Sequence, residues 1–179
     1  QLTPAGAFQL LRTPPTGTLN SIIDAADSLA TDAKFLAEAC YTESSVAQRF
    51  ELICNWITRQ IAWSTPMHNA VSWAATEIGN SFGTSSIARL QDATALSKTR
   101  FVSLFGEQVG LAPKHYARIL RFRRSRSLLR QGRRLSDAAL AAGYYDQAHM
   151  HRDFAEFAHR TPLEFVTATR FPNSLSIPE

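Results

Sequence analysis

Cysteine is scarce in this sequence, and long apolar runs are absent. The two cysteines, Cys40 and Cys54, match no spacing of a zinc or redox motif, and we expect both to be small buried hydrophobic residues. No stretch approaches the roughly 18 to 20 apolar residues that cross a bilayer, and no signal peptide opens the chain. We therefore expect a cytoplasmic protein that does not bind membranes.

The chain also lacks a first methionine, since it begins at Gln1. We interpret this start as a sign that the chain is a fragment or a processed product whose upstream part is missing. Hydrophobic residues make up 45% and charged residues 19% of the 179 residues, which is typical of a folded globular protein. The length suits one domain, or one domain with part of a second.

Acidic residues are absent from the most basic part of the chain. Residues 1–66 carry four basic and six acidic residues, whereas residues 67–179 carry 15 basic and nine acidic ones. Within the second part, residues 114–134 contain nine lysines and arginines and no acid. Such a block predicts an anionic partner, nucleic acid before membrane, although a solvated helix face is the simpler alternative.

Apolar residues recur at intervals of three and four without sustained strand-like alternation, which predicts an all-α fold. Prolines and glycines predict a mostly irregular start over residues 1–18. An apolar stripe then predicts a helix of about 18 residues. The stripe consists of Val46, Phe50, Ile53, Ile57 and Ile61.

Thr65 and Pro66 are typical of the cap and first position of a further helix, and we place a domain boundary near residues 62–67. The expected inward residues of that helix are Val71, Ala74, Ala75, Ile78 and Phe82.

A helix–turn–helix pattern occurs twice after this boundary. The first copy places apolar residues at Ile87, Leu90, Ala93, Phe101, Leu104 and Phe105, with the turn at residues 95–97. The second places them at Leu135, Ala138, Ala141, Met150, Phe154 and Phe157, with the turn at residues 143–146. Pro113 opens a predicted linker helix that ends near Gln131, and a last helix begins at the capping box of residues 161–164. The predicted fold is two helix–turn–helix subdomains joined by a long linker helix and preceded by a helical segment.

The stretch GYYDQAHMHRDF, residues 143–154, gathers two histidines, two acids and an arginine. With Asp146 as the N-cap of a helix, His149 and His151 point about 200° apart, so they cannot bind one metal ion together. No serine or cysteine nucleophile stands at a motif spacing from a histidine. We therefore predict no metal site, no cofactor and no catalytic residue, and a protein that is not an enzyme.

The outward face of this helix suits DNA instead. Gln147, His149 and Arg152 are polar, and Ala148 is small enough to let a groove approach closely. Arginine binds guanine through two acceptors, glutamine binds adenine similarly, and a small apolar side chain contacts the thymine methyl. The nearby basic helix would supply contacts with phosphates. The alternative is an ordinary solvated helix face.

Residues from about Ile87 to Val166 resemble the AraC/XylS class of bacterial transcription regulators. The resemblance is carried by four sets of residues. They are Leu111-Ala112-Pro113-Lys114 with Tyr116; Arg121, Arg124 and Leu128-Leu129; residues 139–154; and Arg160-Thr161-Pro162-Leu163-Glu164-Phe165. It implies a DNA-binding domain over residues 67–171 with recognition helices at about 97–108 and 147–158. Residues 1–66 would be the C-terminal part of a regulatory or dimerisation domain, and residues 172–179 a tail.

The resemblance also implies partners and site residues. The partners are double-stranded operator DNA, a second copy bound through the N-terminal part, and a small-molecule effector of the missing N-terminal region; the expected location is the cytoplasm, at the nucleoid. The base-reading positions are Gln147, Ala148, His149 and Arg152 in the second unit and Thr99, Arg100, Val102 and Ser103 in the first. The phosphate-contacting positions are Lys98, Lys114, Arg118, Arg121 and Arg124.

The first unit departs from the family pattern. Ala95 replaces a turn glycine, so a left-handed backbone there would cost roughly 1 kcal/mol. Ser103 replaces an arginine that is common in the family's reading helix. We therefore predict that the second unit dominates base discrimination.

Other functions stay open at this point. The chain could be a protein-interaction or dimerisation module with weak residual DNA binding, in which residues 18–61 bind the partner. A DNA-alkylation-repair regulator would need a cysteine cluster, which two cysteines do not provide. Five aromatic residues of the N-terminal part could line a pocket, belong to a core or form an exposed surface. They are Phe35, Tyr41, Phe50, Trp56 and Trp63.

Overall fold

A computed structural model of the chain describes residues 3–11 and 32–170, and these residues form ten helices and no strand. The helices are α1 (Pro4–Leu10), α2 (Ala33–Thr42), α3 (Val46–Ala62), α4 (Asn69–Asn80), α5 (Ile87–Asp92), α6 (Lys98–Val109), α7 (Pro113–Arg130), α8 (Leu135–Ala141), α9 (Gln147–Ala158) and α10 (Pro162–Arg170). The all-α prediction is confirmed. The predicted tail, residues 172–179, and residues 18–31 of the predicted interaction segment lie outside the described residues.

Contacts between residues divide the chain into two compact units. Among the described residues, the first unit takes in those up to Ala75 together with residues 94–112. The second takes in residues 76–93 and those from Pro113 onward. The second helix–turn–helix, α8 and α9, therefore lies within one unit together with the linker helix α7.

In the first unit, α1 packs against α3 and α6. Leu10 of α1 and Trp56 of α3 are the buried centre of a small cluster, and Ala33, Leu36 and Ile57 pack around them. Burying one large apolar side chain contributes roughly 1.5–3 kcal/mol, so this cluster holds α1 against α3.

The start of the chain is more regular than its prolines and glycines predict. The Thr3 hydroxyl accepts a hydrogen bond from the amide of Gly6 at 3.1 Å and caps α1. Pro4 occupies the first turn, where its missing amide would have had no partner inside the helix. The prediction of an irregular start was therefore wrong for residues 4–10.

Helix α4 begins at Asn69, so the predicted start at Thr65 and Pro66 was wrong. The first turn is held by His68, whose carbonyl accepts from Ser72 at 2.9 Å and whose Nδ1 accepts from Ala70 at 3.2 Å. The amide of His68 donates to Oε1 of Gln108 at 3.0 Å. Because Gln108 is 40 residues away, this bond is invisible to local sequence signals.

The predicted inward face of α4 is confirmed at four positions, since Val71, Ala74, Ala75 and Ile78 are buried. Phe82 is the exception. It lies beyond the helix, is 48% exposed, and has a left-handed backbone with φ 52°. The helix ends there because the amide of Gly83 donates back to the Ile78 carbonyl at 2.8 Å.

Helix α3 covers the predicted stretch, but most of its apolar stripe is exposed. Val46 is 77% exposed and Phe50 is 68% exposed, and Ile53 and Ile61 are also exposed. The helices α1 and α2 pack on the side of α3 that carries Trp56 and Ile57. The predicted helix is therefore confirmed, and in the described part of the chain its apolar stripe is covered on one side.

The aromatic residues of this region also stand mostly in solvent. Phe35, Tyr41 and Trp63 are 70%, 89% and 90% exposed, whereas Trp56 is in the core. Cys40 and Cys54 are free and half-buried, so the prediction of two buried cysteines was wrong. Within residues 3–11 and 32–170, no helix combines the length and apolar character needed to cross a membrane.

The second unit has one apolar core, to which α7, α8, α9 and α10 all contribute. The rings of Phe122 and Phe154 meet edge-on with centroids 4.9 Å apart, and Phe165 packs edge-on against Phe154 at 5.7 Å. The buried members of this core are Phe122, Leu128, Leu129, Ala138, Ala139, Ala142, Tyr144, Met150, Phe154 and Phe165.

Most core positions of the predicted repeat are confirmed, with five exceptions. Ala93 and Ala141 are exposed, and Ile87, Leu135 and Phe157 are half-buried. Each of the two alanines lies at the C-terminal end of its short helix. The buried positions Ala139 and Ala142 replace Ala141 in the second copy.

The predicted helix ends of the second unit are confirmed. Helix α7 runs from Pro113 to Arg130 and is followed by Gly132 at φ 84°. At α10, the amide of Thr161 donates to Oε2 of Glu164 at 2.7 Å, and the amide of Glu164 donates to Oγ1 of Thr161 at 3.2 Å. This reciprocal capping box also lowers the pKa of Glu164, because the Thr161 amide stabilises its carboxylate.

Candidate nucleic-acid interface

The turn before α9 gives that helix a fixed start. Gly143 has φ 83°, and a Cβ atom there would collide with the side chain of Thr84. The carboxylate of Asp146 accepts from the amide of His149 at 2.6 Å, which confirms Asp146 as the N-cap. Tyr144 is buried beneath this turn, while Tyr145 is 91% exposed.

Helix α9 has two different faces. Met150, Asp153 and Phe154 are fully buried. Gln147, Ala148, Arg152 and Ala155 are exposed on the outer side. The outer face is therefore small and polar, as a helix entering a groove requires.

The side chains of Gln147 and Arg152 on this face are less constrained than the neighbouring ring of His149. Nε of Arg152 donates to the carbonyl of Ala148 at 3.4 Å, a long bond within its own helix that is readily exchanged. His149 is half-buried, with its ring edge-on to Tyr144 at 5.1 Å. Arg152 and Gln147 can thus extend outward, whereas His149 is held against the turn.

Helix α6 offers short side chains at Thr99, Val102 and Ser103, beside one long one, Arg100. Its cap is Ser97, whose hydroxyl accepts from the amide of Arg100 at 3.3 Å. Thr99, Arg100, Val102 and Ser103 are all exposed, as predicted base-reading residues must be. However, the Ser103 hydroxyl donates to Oε1 of Glu107 at 2.7 Å, which places an acid on the same face.

The turn between α5 and α6 avoids the backbone conformation that would strain Ala95. Among the described residues, the non-glycine residues with positive φ are Phe82 and His159. Ala95 therefore adopts an ordinary conformation, and the penalty considered for a left-handed alanine does not arise.

The predicted phosphate-contacting residues occupy several environments. Lys98 and Lys114 are exposed. The guanidinium of Arg124 lies over the Phe82 ring, 4.5 Å from its centroid. Arg121 is half-buried: its Nη1 donates to the Gly83 carbonyl at 3.3 Å, and its guanidinium lies 5.8 Å from the centroid of the Tyr144 ring.

Arg118 is engaged inside the second unit. It binds Asp153 and Glu156, and the ring of Phe157 lies 5.1 Å from its guanidinium. Hydrogen bonds with Glu156 and Asp153 raise the pKa of Arg118, and the bond with Arg118 lowers the pKa of Glu156. A phosphate would have to displace two carboxylates to bind this guanidinium.

Sequence reasoning missed Asp153, Glu156 and Phe82 as residues of this region. One signal was present for Asp153, because it lies on the inward face between Met150 and Phe154. An acid on an apolar face needs a buried cation. The stacking of Phe82 had no sequence signal, because it depends on the left-handed backbone after α4.

Metal binding has no support from the geometry of the described residues. No group of three or more His, Cys, Asp or Glu side chains among them could hold a metal ion. In particular, His149 and His151 do not share such a group.

Comparison with known proteins identifies the region that carries these helices. A family model described as a helix-turn-helix domain matches residues 90–168. Over these residues the chain is similar to the AraC-type helix-turn-helix family. The HTH-type transcriptional regulator YbfI of Bacillus subtilis (strain 168) is 38% identical over 61 residues, which cover 34% of this chain and 22% of that protein. No solved structure matches the chain.

The match starts within α5 and ends within α10, so it includes α7, the whole second helix–turn–helix pattern and the first one from Leu90 onward. Helix–turn–helix domains are DNA-binding units of transcription regulators. The matched region includes all thirteen predicted site residues. Since the chain spans about a fifth of the length of YbfI, the likeness concerns this domain and not the whole of that regulator.

Proposed function

We propose that the protein is a sequence-specific, double-stranded-DNA-binding transcription regulator. Its AraC-type domain inserts two recognition helices, about 97–108 (α6) and 147–158 (α9), into successive major-groove segments. The observation that carries the proposal is the two-faced α9, which buries Met150, Asp153 and Phe154 and exposes Gln147, Ala148 and Arg152. A solvated helix has no need of a small, flat outer face next to a long basic helix.

Base reading falls mainly to α9. Arg152 can donate two hydrogen bonds to a guanine and Gln147 can pair with an adenine, while Ala148 leaves room for a thymine methyl. His149 contributes from the flank. In α6, Thr99, Arg100, Val102 and Ser103 make weaker contacts, since three of the four side chains are too short for two hydrogen bonds with one base and Ser103 is already bonded to Glu107.

Phosphate binding falls to the exposed and partly exposed cations. Lys98 lies at the start of α6, Lys114 at the start of α7, and Arg124 is held on Phe82. Arg121 contributes mainly through the fold, given its bond to Gly83. Such contacts release counterions, so affinity falls as the salt concentration rises.

The rest of the chain completes the proposal. Residues 1–66 are the C-terminal part of a regulatory or dimerisation domain, with a small-molecule effector bound by the region before it, and residues 67–171 are the DNA-binding domain. The protein works in the cytoplasm at the nucleoid, because its partner is there. No residue is assigned a catalytic role.

The proposal is tested by selecting bound sequences from a random pool of duplexes and titrating salt on the most enriched one. We expect one enriched motif whose affinity over a scrambled duplex is at least about 1,000-fold, as for specific DNA-binding proteins. No enrichment over random duplexes at any salt concentration would refute it.

A second candidate is a protein-interaction module with weak residual DNA binding. The observation that favours it is the exposed stripe of Val46, Phe50 and Ile53 on α3. Its spacing of four and three residues suits a helix of a second copy packed along it. Light scattering over a range of concentrations measures the mass: a dimer without any enriched DNA would favour this candidate, and a dimer that selects DNA would fit the main proposal.

A further inference from the structure

Helix α9, the proposed main reading helix, carries a buried carboxylate that needs a cationic partner. Asp153 is 1% exposed, and its neighbours on the inward face, Met150 and Phe154, are apolar and fully buried. A buried carboxylate without a cation is strongly destabilising. Asp153 therefore ties α9 to whichever element supplies that cation.

Arg118 of α7 is the cation. Its Nε and Nη2 both donate to Oδ1 of Asp153, at 3.1 and 2.7 Å. Its Nη1 and Nη2 donate to the two oxygens of Glu156, at 3.2 and 2.5 Å. One planar guanidinium thus binds two carboxylates that are three residues apart on the same face of α9.

This clamp adds directional bonds to the close-packed apolar core that holds α9. The side chains of the core exclude large movements of the helix because they interdigitate, and the clamp adds a constraint on its rotation. A fork of four charge-assisted hydrogen bonds loses strength as soon as its angles change. Because Arg152 immediately precedes Asp153, a fixed direction for Asp153 fixes the direction of Arg152 about 100° away around the helix.

The same bonds make Arg118 a poor phosphate contact. Its three nitrogens all donate within the unit, and the cluster of one arginine with Asp153 and Glu156 carries a formal net negative charge. DNA would be repelled by that cluster unless the carboxylates were displaced.

We propose that Arg118 is a positioning residue for base reading: by clamping Asp153 and Glu156 it sets the angle at which α9 presents Arg152 to DNA. This inference rests on the proposed DNA-reading function. It assigns specificity to a residue that touches no base and no phosphate.

The test compares Arg118→Lys in α7 and Glu156→Gln in α9, which both weaken the clamp, with two further variants in α7 that leave it intact. Lysine keeps the charge that Asp153 needs for folding but cannot bind both carboxylates as the planar fork does. Arg130→Lys is the matched control. Arg130 lies on α7, like Arg118, but it is exposed and its guanidinium lies over the Phe165 ring of α10. Lys114→Gln represents a phosphate contact. Affinities for the selected duplex and a scrambled duplex are measured across salt concentrations, at a temperature where circular dichroism shows each variant folded.

For Arg118→Lys we expect the preference for the selected duplex to fall about tenfold, the size of roughly one lost base contact, with an unchanged salt slope. Glu156→Gln should lower the preference less, and Arg130→Lys should not change it. Lys114→Gln should weaken both duplexes and reduce the salt slope by about one.

Two results would overturn the inference while leaving the proposed function intact. If Arg118→Lys weakens both duplexes equally and reduces the salt slope, Arg118 contacts phosphate. If it lowers the unfolding midpoint but keeps the wild-type preference, the clamp serves only stability. A wild-type protein that prefers no duplex would instead refute the proposed function, and the inference with it.

Discussion

In the second helix–turn–helix the chain passes through Gly143 at φ 83°, whereas no residue between α5 and α6 has a positive φ. Both turns nevertheless lead into a twelve-residue helix with a side-chain cap, Ser97 on α6 and Asp146 on α9. The two units thus reach similar helices through different turns.

The outer faces differ more than the turns do. Helix α9 exposes Gln147 and Arg152, while α6 exposes Arg100 and short side chains, among them Ser103 bonded to Glu107. The buried faces are alike, since Phe105 and Phe154 are both fully buried. The buried scaffold and the outer surface of these two helices therefore vary independently.

The largest effect is expected in the shared scaffold. Phe105→Ala and Phe154→Ala should each lower the free energy of unfolding by about 3–5 kcal/mol, because each leaves a cavity in a core. Chemical denaturation monitored by circular dichroism measures the loss. A cost below 1 kcal/mol for either variant would mean that the two helices are not anchored alike.

Substitutions on the outer faces of α9 and α6 should affect DNA affinity to different extents. Arg152→Ala should cost about 1–3 kcal/mol on the selected duplex and relax one base preference, because a bidentate contact is lost. Ser103→Ala is the matched variant in α6, and we expect it to change affinity for that duplex much less. Fluorescence anisotropy measures both. An equal loss on random DNA for Arg152→Ala would show that Arg152 reads no base.

The turns should respond in different ways. Gly143→Ala should destabilise the protein by about 1–2 kcal/mol, because alanine is strained at a left-handed position. Ala95→Gly should cost about 1 kcal/mol or less, since it only adds freedom to the unfolded chain. Urea denaturation of both variants provides the measurement, and a stabilising Ala95→Gly would reveal strain in the first turn.

The smallest effect concerns the capping box that follows the second unit. The folded pKa of Glu164 is lowered from its usual 4.5 by the Thr161 amide, so its contribution is present above that pH and is lost as pH falls through the folded pKa. Glu164→Gln should therefore flatten the acid side of the curve of unfolding midpoint against pH. Parallel curves for wild type and variant would contradict the capping role.

Sequence signals located the elements that are set by neighbouring residues. Pro113 and Gly132 bound α7, Asp146 caps α9, and Thr161 with Glu164 caps α10. Each of these signals works within four residues, so no tertiary information is needed.

The predictions failed where contacts with residues far away in the sequence determine the structure. The same Thr-Pro pair that caps α1 at Thr3 fails at Thr65, because Gln108 binds the amide of His68 and α4 starts later. The two carboxylates that bind Arg118 lie 35 and 38 residues away along the chain, so no sequence signal indicated them. Spacing along the helix gave the faces of α9, but not what its acids bind.

We expect the second helix–turn–helix to read more sequence than the first. The most direct test is the affinity of the chain for every single-base variant of the selected duplex. We expect one block of strongly discriminated base pairs, whose preferences are lost in Arg152→Ala, and a weaker block one helical turn away, about 34 Å along the duplex. Two blocks of equal strength, or a strong block unaffected by Arg152→Ala, would contradict it.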